Sequence, residues 1–124
     1  MPETRIGRCH CGGVEFTVRL ENGLENLRRC NCSLCKRRSA VMAFAPLNGL
    51  TITKGADLLT LYQWNSRVAK HYFCKVCGIY THHQRRSKPN EYGFNVACLD
   101  GVDPFALGPV ELADGASQSL VEPR

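Results

Sequence analysis

Seven of the eight cysteines in this 124-residue chain fall into three clusters: Cys9-x-Cys11, Cys30-x-Cys32-x-x-Cys35 and Cys74-x-x-Cys77. Thiolates at these spacings suit a shared metal, because zinc–sulfur bonds of about 2.3 Å let neighbouring side chains converge on one ion. Cysteines one residue apart do not easily pair within ordinary disulfide geometry. The start of the chain, "MPETRIGRCHCGG", has no apolar core of a secretory signal, so a cytoplasmic location is expected. In that reducing compartment, cysteine enrichment points to metal or redox chemistry rather than to disulfides.

The three clusters read differently. In Cys74-x-x-Cys77 the spacing leaves backbone N–H groups free to hydrogen-bond the sulfurs, and Gly78 follows where the chain must turn tightly. Gly12 and Gly13 stand in a similar place after Cys11. Cys9, Cys11, Cys74 and Cys77 are therefore expected to form one closed, structural four-sulfur site. Cys30, Cys32 and Cys35 remain as a three-thiolate centre. Structural zinc is saturated by four protein ligands, whereas catalytic zinc typically keeps three and one exchangeable position. Candidates for a fourth ligand are His10, His71, His82, His83 and Cys98. Cys98 sits in the apolar run "FNVACL", where a packed small hydrophobe is the commoner role. His10 lies between two ligands and is expected to point away from them. His82 and His83 fall on opposite faces of a strand, so at most one faces the site. For each histidine, surface exposure or ordinary packing is the commoner role.

The elements that position these residues read mostly as strands. "VEFTVRL" (Val14–Leu20) alternates apolar and polar residues as a half-buried strand does. Further strands are expected at Ala40–Leu47, Leu50–Thr53, Leu58–Trp64, Arg67–Cys74, Ile79–Gln84 and Glu91–Leu99. Asn65-Ser66 reads as a hairpin turn and "SKPNE" as a loop. Ser33 is placed to cap a short helical turn through "SLCKRR", and Asp103-Pro104 to open another through "PFAL". The tail after Gly108 is expected to be irregular. With no repeat, linker or low-complexity tract, residues 1–124 read as one domain with its core at about 7–107. An apolar fraction of 44% and a charged fraction of 22% are those of a globular protein. No apolar run approaches the ~18 residues of a membrane span.

The segments "RCHCGGVEF", "CNCSLCKRRS", "YQWNSRVAKHYFCKVCG" and "FNVACLDGVDP" together resemble the glutathione-dependent formaldehyde-activating enzyme family, which includes the centromere protein V domain. The resemblance covers roughly residues 7 to 105, in order, with all three cysteine clusters in place. It implies a mainly β fold, a β-tent of folded antiparallel sheets stabilised by zinc. It also implies two zinc ions, a structural one on Cys9, Cys11, Cys74 and Cys77 and a catalytic one on Cys30, Cys32 and Cys35. The family's founding activity is condensation of formaldehyde with glutathione, so a small thiol and a small aldehyde are the implied partners.

Glutathione carries two carboxylates, and the basic residues beside Cys35 then acquire a use. Lys36, Arg37 or Arg38 would hold the anion through charge-assisted hydrogen bonds. Tyr62, Trp64, Tyr72 and Phe73 are candidates for the pocket wall, with core packing the commoner role for most. Only eight residues precede Cys9, so no extended N-terminal segment is expected to complete a glutathione pocket. A metal with three thiolates carries a net charge near −1 and acidifies bound water less than a three-histidine centre. That favours thiol–aldehyde adduct chemistry, a carbon–sulfur lyase activity, over strong hydrolysis.

Two other readings stand beside it. The net charge of +5, with runs at Lys36–Arg38 and Arg85–Arg86, suits a zinc-stabilised nucleic-acid or protein binding module. Against nucleic acid, the chain has no continuous basic helix and no clear basic–aromatic stripe. Low-pKa thiolates beside a basic run also suit a thiol sensor that exchanges between zinc-bound and oxidised forms.

Overall fold

The structure, a computed structural model, describes residues 2–64 and 66–117. It is mainly β, as expected, with ten strands and one short α-helix among the described residues. The strands are β1 (Glu3–Arg8), β2 (Glu15–Leu20), β3 (Arg28–Cys30), β4 (Met42–Pro46) and β5 (Leu50–Lys54), then β6 (Leu59–Tyr62), β7 (Lys70–Cys74), β8 (Tyr80–Gln84), β9 (Glu91–Asn95) and β10 (Glu111–Ala113). Helix α1 spans Ser33–Arg38. A three-stranded sheet has the order β1-β2-β5, and a seven-stranded sheet the order β10-β3-β4-β9-β8-β7-β6. Every pairing is antiparallel except that of β10 with β3.

The alternation in β2 buries Phe16, Val18 and Leu20, and these share a core with Ala43, Ala45 and Phe94 of the larger sheet and with Val41 and Val96 at the ends of its strands. Burying a side chain of this size contributes about 1.5–3 kcal/mol, so this layer is the principal apolar contribution to stability. Gly7 lies opposite Phe16 in the register, and a β-carbon there would overlap the Phe16 ring. The glycine is therefore a condition of the close packing of β1 on β2.

Successive residues of a strand point to opposite faces, and the larger sheet uses this to separate core from site. Ala43, Phe94, His82 and Tyr72 are register partners across β4, β9, β8 and β7, and Phe94 belongs to the core. One residue along, Phe44, Gly93, His83 and His71 form the neighbouring row and face away from the core. Gly93 is required here, because a β-carbon at this position would overlap the His83 ring.

Four sequence expectations need correction. The tail is not irregular throughout, since Glu111–Ala113 pair in parallel with Arg28–Cys30. The residues "PFAL" form no helix. Asp103 instead makes a local turn, its carboxylate accepting from Phe105 N at 2.9 Å and its carbonyl from Ala106 N at 3.1 Å. Cys98 lies in a 3-10 turn, Val96–Cys98, because the Asn95 side chain accepts from Ala97 N and ends the strand. The cap of α1 is Cys32 rather than Ser33. The expected turn at Asn65-Ser66 includes Asn65, which lies outside the described residues. No helix among them is long and apolar enough to cross a membrane.

Candidate metal centres

Cys9 follows β1, Cys11 precedes β2, Cys74 ends β7 and Cys77 lies in the turn to β8. Their four sulfurs lie within 4.8 Å of one another, with Cys9–Cys11 at 3.6 Å and Cys11–Cys74 at 3.7 Å. A tetrahedral zinc with ~2.3 Å bonds needs sulfurs about 3.8 Å apart, so this group could hold one. All eight cysteines are free thiols. The two loops share a construction. Val14 N donates to Cys9 Sγ at 3.3 Å, Gly13 N to Cys11 Sγ at 3.4 Å and Val76 N to Cys74 Sγ at 3.4 Å. Gly12 and Gly78 turn the chain with φ of 77° and 79°, in the left-handed region that favours glycine. The group joins the small sheet to the large one, and Cys9 and Cys74 are buried with Val14 beside Leu58, Leu59 and Ile79.

Cys30, Cys32 and Cys35 form a second group with sulfurs within 4.8 Å, where β3 runs into α1. The helix positions two of them. Cys32 is the N-cap in extended backbone, and its Sγ accepts from Cys35 N at 3.3 Å. This is the usual capping geometry with sulfur in the place of a hydroxyl. Cys32 is held down to a pKa of about 2 by hydrogen bonds from the Cys30 and Cys35 thiols, and from the N–H groups of Cys35 and Leu34. Cys35 is driven far up by its hydrogen bonds with Cys30 and Cys32. Three thiols so close resist carrying more than one charge, which is the crowding that a divalent cation relieves.

No histidine, aspartate, glutamate or further cysteine among the described residues completes this group. His10 is exposed in the N-terminal loop. Cys98 is buried, donates to Tyr80 O at 3.6 Å, and is pushed up to a pKa of about 12, chiefly by burial. His82 lies on the core side, its ring stacked on Tyr72 at 4.7 Å. His71 and His83 line a cavity of about 220 Å³ together with Cys30, Cys32 and Cys35. Their rings stack at 5.2 Å, and Tyr80 Oη lies 2.6 Å from His83 Nδ1. Burial, then the Arg38 charge, lowers His71 to a pKa of about 4.

The basic run beside Cys35 divides. Lys36 and Arg37 are exposed, and Arg37 Nη1 donates to Ser33 O at 2.8 Å within the helix. Arg38 turns inward. Its Nη1 donates to His71 Nδ1 at 3.1 Å, its Nη2 approaches Cys35 Sγ at 3.5 Å, and its guanidinium lies 3.7 Å above the Tyr80 ring centroid. Trp64 lines the cysteine cavity, while Tyr62, Tyr72 and Phe73 line a separate one.

Several cavity residues escaped the sequence reading: Arg28, Met42, Phe44, Ala113 and Gly115, while Arg85 and Arg86 were read only as a basic run. Arg28 was open to discovery, because positions 28 and 30 share one face of a strand. The triplet "RRC" carries no apolar alternation to mark that strand. The tail covers the site from the other side. Asn31 N donates to Ala113 O at 3.1 Å, and its side chain donates to Asp114 Oδ1 and accepts from Ala116 N. A β-carbon at Gly115 would overlap Cys30 Sγ.

A sequence model of the glutathione-dependent formaldehyde-activating enzyme family matches residues 4–111. The fold is similar to the crystal structure of a Rhodobacter sphaeroides protein, with a TM-score of 0.84 and 57% sequence identity. The match covers 87% of this chain and 99% of that one.

Proposed function

The chain belongs to the glutathione-dependent formaldehyde-activating enzyme family, and from that premise we propose a zinc-dependent, carbon–sulfur lyase-like enzyme. It forms and cleaves adducts of glutathione, or a related small thiol, with formaldehyde or a similar aldehyde. The observation that carries this reading is the convergence of three sulfurs on a cavity, with no fourth ligand among the described residues. Cys9, Cys11, Cys74 and Cys77 take the structural role in it.

A zinc ion held by Cys30, Cys32 and Cys35 would supply a Lewis-acidic position open to a small oxygen or sulfur donor. In the reaction, the thiol sulfur attacks the carbonyl carbon and a carbon–sulfur bond forms. The carbonyl π electrons move to oxygen, and the proton lost by the thiol ends there. The reverse reaction breaks the same bond. Arg38 returns one positive charge to the three thiolates from its place beside Cys35. Arginine only donates, so His71 Nδ1 accepts and the neutral ring carries its proton on Nε2. His71 is thereby a neutral donor on the cavity wall, suited to the oxygen that gains charge. Because this addition is feasible without a catalyst, holding thiol and aldehyde side by side supplies most of the acceleration.

Exchange between formaldehyde and glutathione, followed by NMR exchange spectroscopy, tests the proposal. The expected result is faster exchange with the zinc-loaded protein and the uncatalysed rate with Cys32→Ser. A rate that neither protein changes rules the activity out.

A further inference from the structure

The cavity lining carries cations as well as sulfurs, and one of them, Arg28, forms no ion pair among the described residues. We propose that Arg28 is the carboxylate receptor of this cavity. It holds the acidic group of the thiol substrate and so determines which thiols the site accepts. The proposal rests on the function proposed above and names the residue that selects its thiol.

Strand β3 supplies the spacing. Arg28 and Cys30 are two residues apart on one strand, so both project from the same face with α-carbons about 6.6 Å apart. Both line the cavity. A sulfur at the cysteine end and a carboxylate at the arginine end can thus belong to one small molecule.

The competing cations are otherwise engaged, Arg86 of the cavity lining among them. Arg85 also lines the cavity, but it is paired with Glu91 at 2.6 Å. Arg38 also has a buried Nε without a partner, but it is held by His71 and Tyr80 and does not line this cavity. Lys36 and Arg37 are exposed and do not line the cavity. No described carboxylate forms an ion pair with Arg28, and its Nε is buried without a hydrogen-bond partner. Such a donor costs free energy until something accepts from it.

The surroundings favour a planar anion. The Phe44 ring is in cation-π range of two guanidinium groups, with Arg28 Cζ 5.9 Å and Arg85 Cζ 4.2 Å from its centroid. An aromatic wall keeps water from one side of the guanidinium, where a bidentate carboxylate contact is strongest.

Calorimetric binding to the zinc-loaded protein tests the assignment without relying on turnover. The ligands are glutathione and its diethyl ester, in which both carboxylates are capped. Wild-type protein is expected to bind the ester at least tenfold more weakly than glutathione. Arg28→Met should bind glutathione about as weakly as the ester and make little distinction between them, and Arg28→Lys should recover part of the difference. Equal binding of the two ligands by wild type overturns the proposal, whatever the variants do. So does a tenfold preference that persists in Arg28→Met. Arg28-dependent binding without faster formaldehyde exchange would remove the proposed reaction and leave this assignment standing. Faster exchange with an unchanged Arg28 variant would do the reverse.

Discussion

Arg38 at the end of α1 and His82 in β8 serve opposite ends. Arg38 places its charge beside Cys35 and orients His71, and residues in that position typically alter metal affinity or activity by 10–100-fold. Arg38→Met is therefore expected to release zinc from the three-cysteine group at least tenfold more readily, in competition with a chromogenic chelator. Zinc on the four-cysteine group should be unaffected. His82 is buried on the core face, 3% exposed, with its Nδ1 at 2.8 Å from Thr81 Oγ1. Burial lowers it to a pKa of about 4 from the ordinary 6.5. The folded state thus disfavours the protonated ring, while the unfolded chain accepts a proton freely below pH 6.5. The resulting stability is complete above pH 6.5 and is lost as the pH falls towards 4. Between pH 6.5 and 5 this linkage costs about 2 kcal/mol. Denaturant titrations should show His82→Phe losing that much less than wild type over the same interval.

At the scale of elements, the site depends on a strand, a short helix and the C-terminal segment meeting at one corner. Helix α1 was legible through "SLCKRR", although its cap is Cys32 and not the expected Ser33, because sulfur is not the usual capping atom. Strands β2, β4 and β8 were legible from alternation or from β-branched and aromatic content. Strands β3 and β10 were not, since "RRC" and "ELA" show no apolar period and gain their structure from each other. Missing β3 concealed that Arg28 shares a strand face with Cys30. Missing β10 concealed the cover over Cys30. Asn31 anchors that cover through both ends of its side chain. In metal-free Asn31→Ala, alkylation of Cys30 by iodoacetamide should accelerate several-fold relative to wild type. An unchanged rate would mean that the backbone pairing of β10 holds the segment unaided.

Across the whole molecule, the two cysteine groups occupy different mechanical positions. The four-cysteine group links loops from separate sheets, between residues as distant in sequence as Cys9 and Cys77. Metal there would couple directly to folding, because the unfolded chain has no preformed site. The three-cysteine group is local to positions 30–35 and opens on the cavity, so its loss should leave the sheets intact. This division was visible in the spacing of the cysteines, whereas the cavity walls were not, because they come from five strands, the start of α1 and the connecting segments brought together only by the fold. Zinc content of purified wild type and Cys32→Ser, determined alongside circular dichroism, tests the division most directly. Wild type should hold two zinc ions per chain, and Cys32→Ser one, with its β spectrum unchanged. One zinc in wild type, or loss of both ions or of the fold in Cys32→Ser, would contradict a separate, open three-cysteine centre.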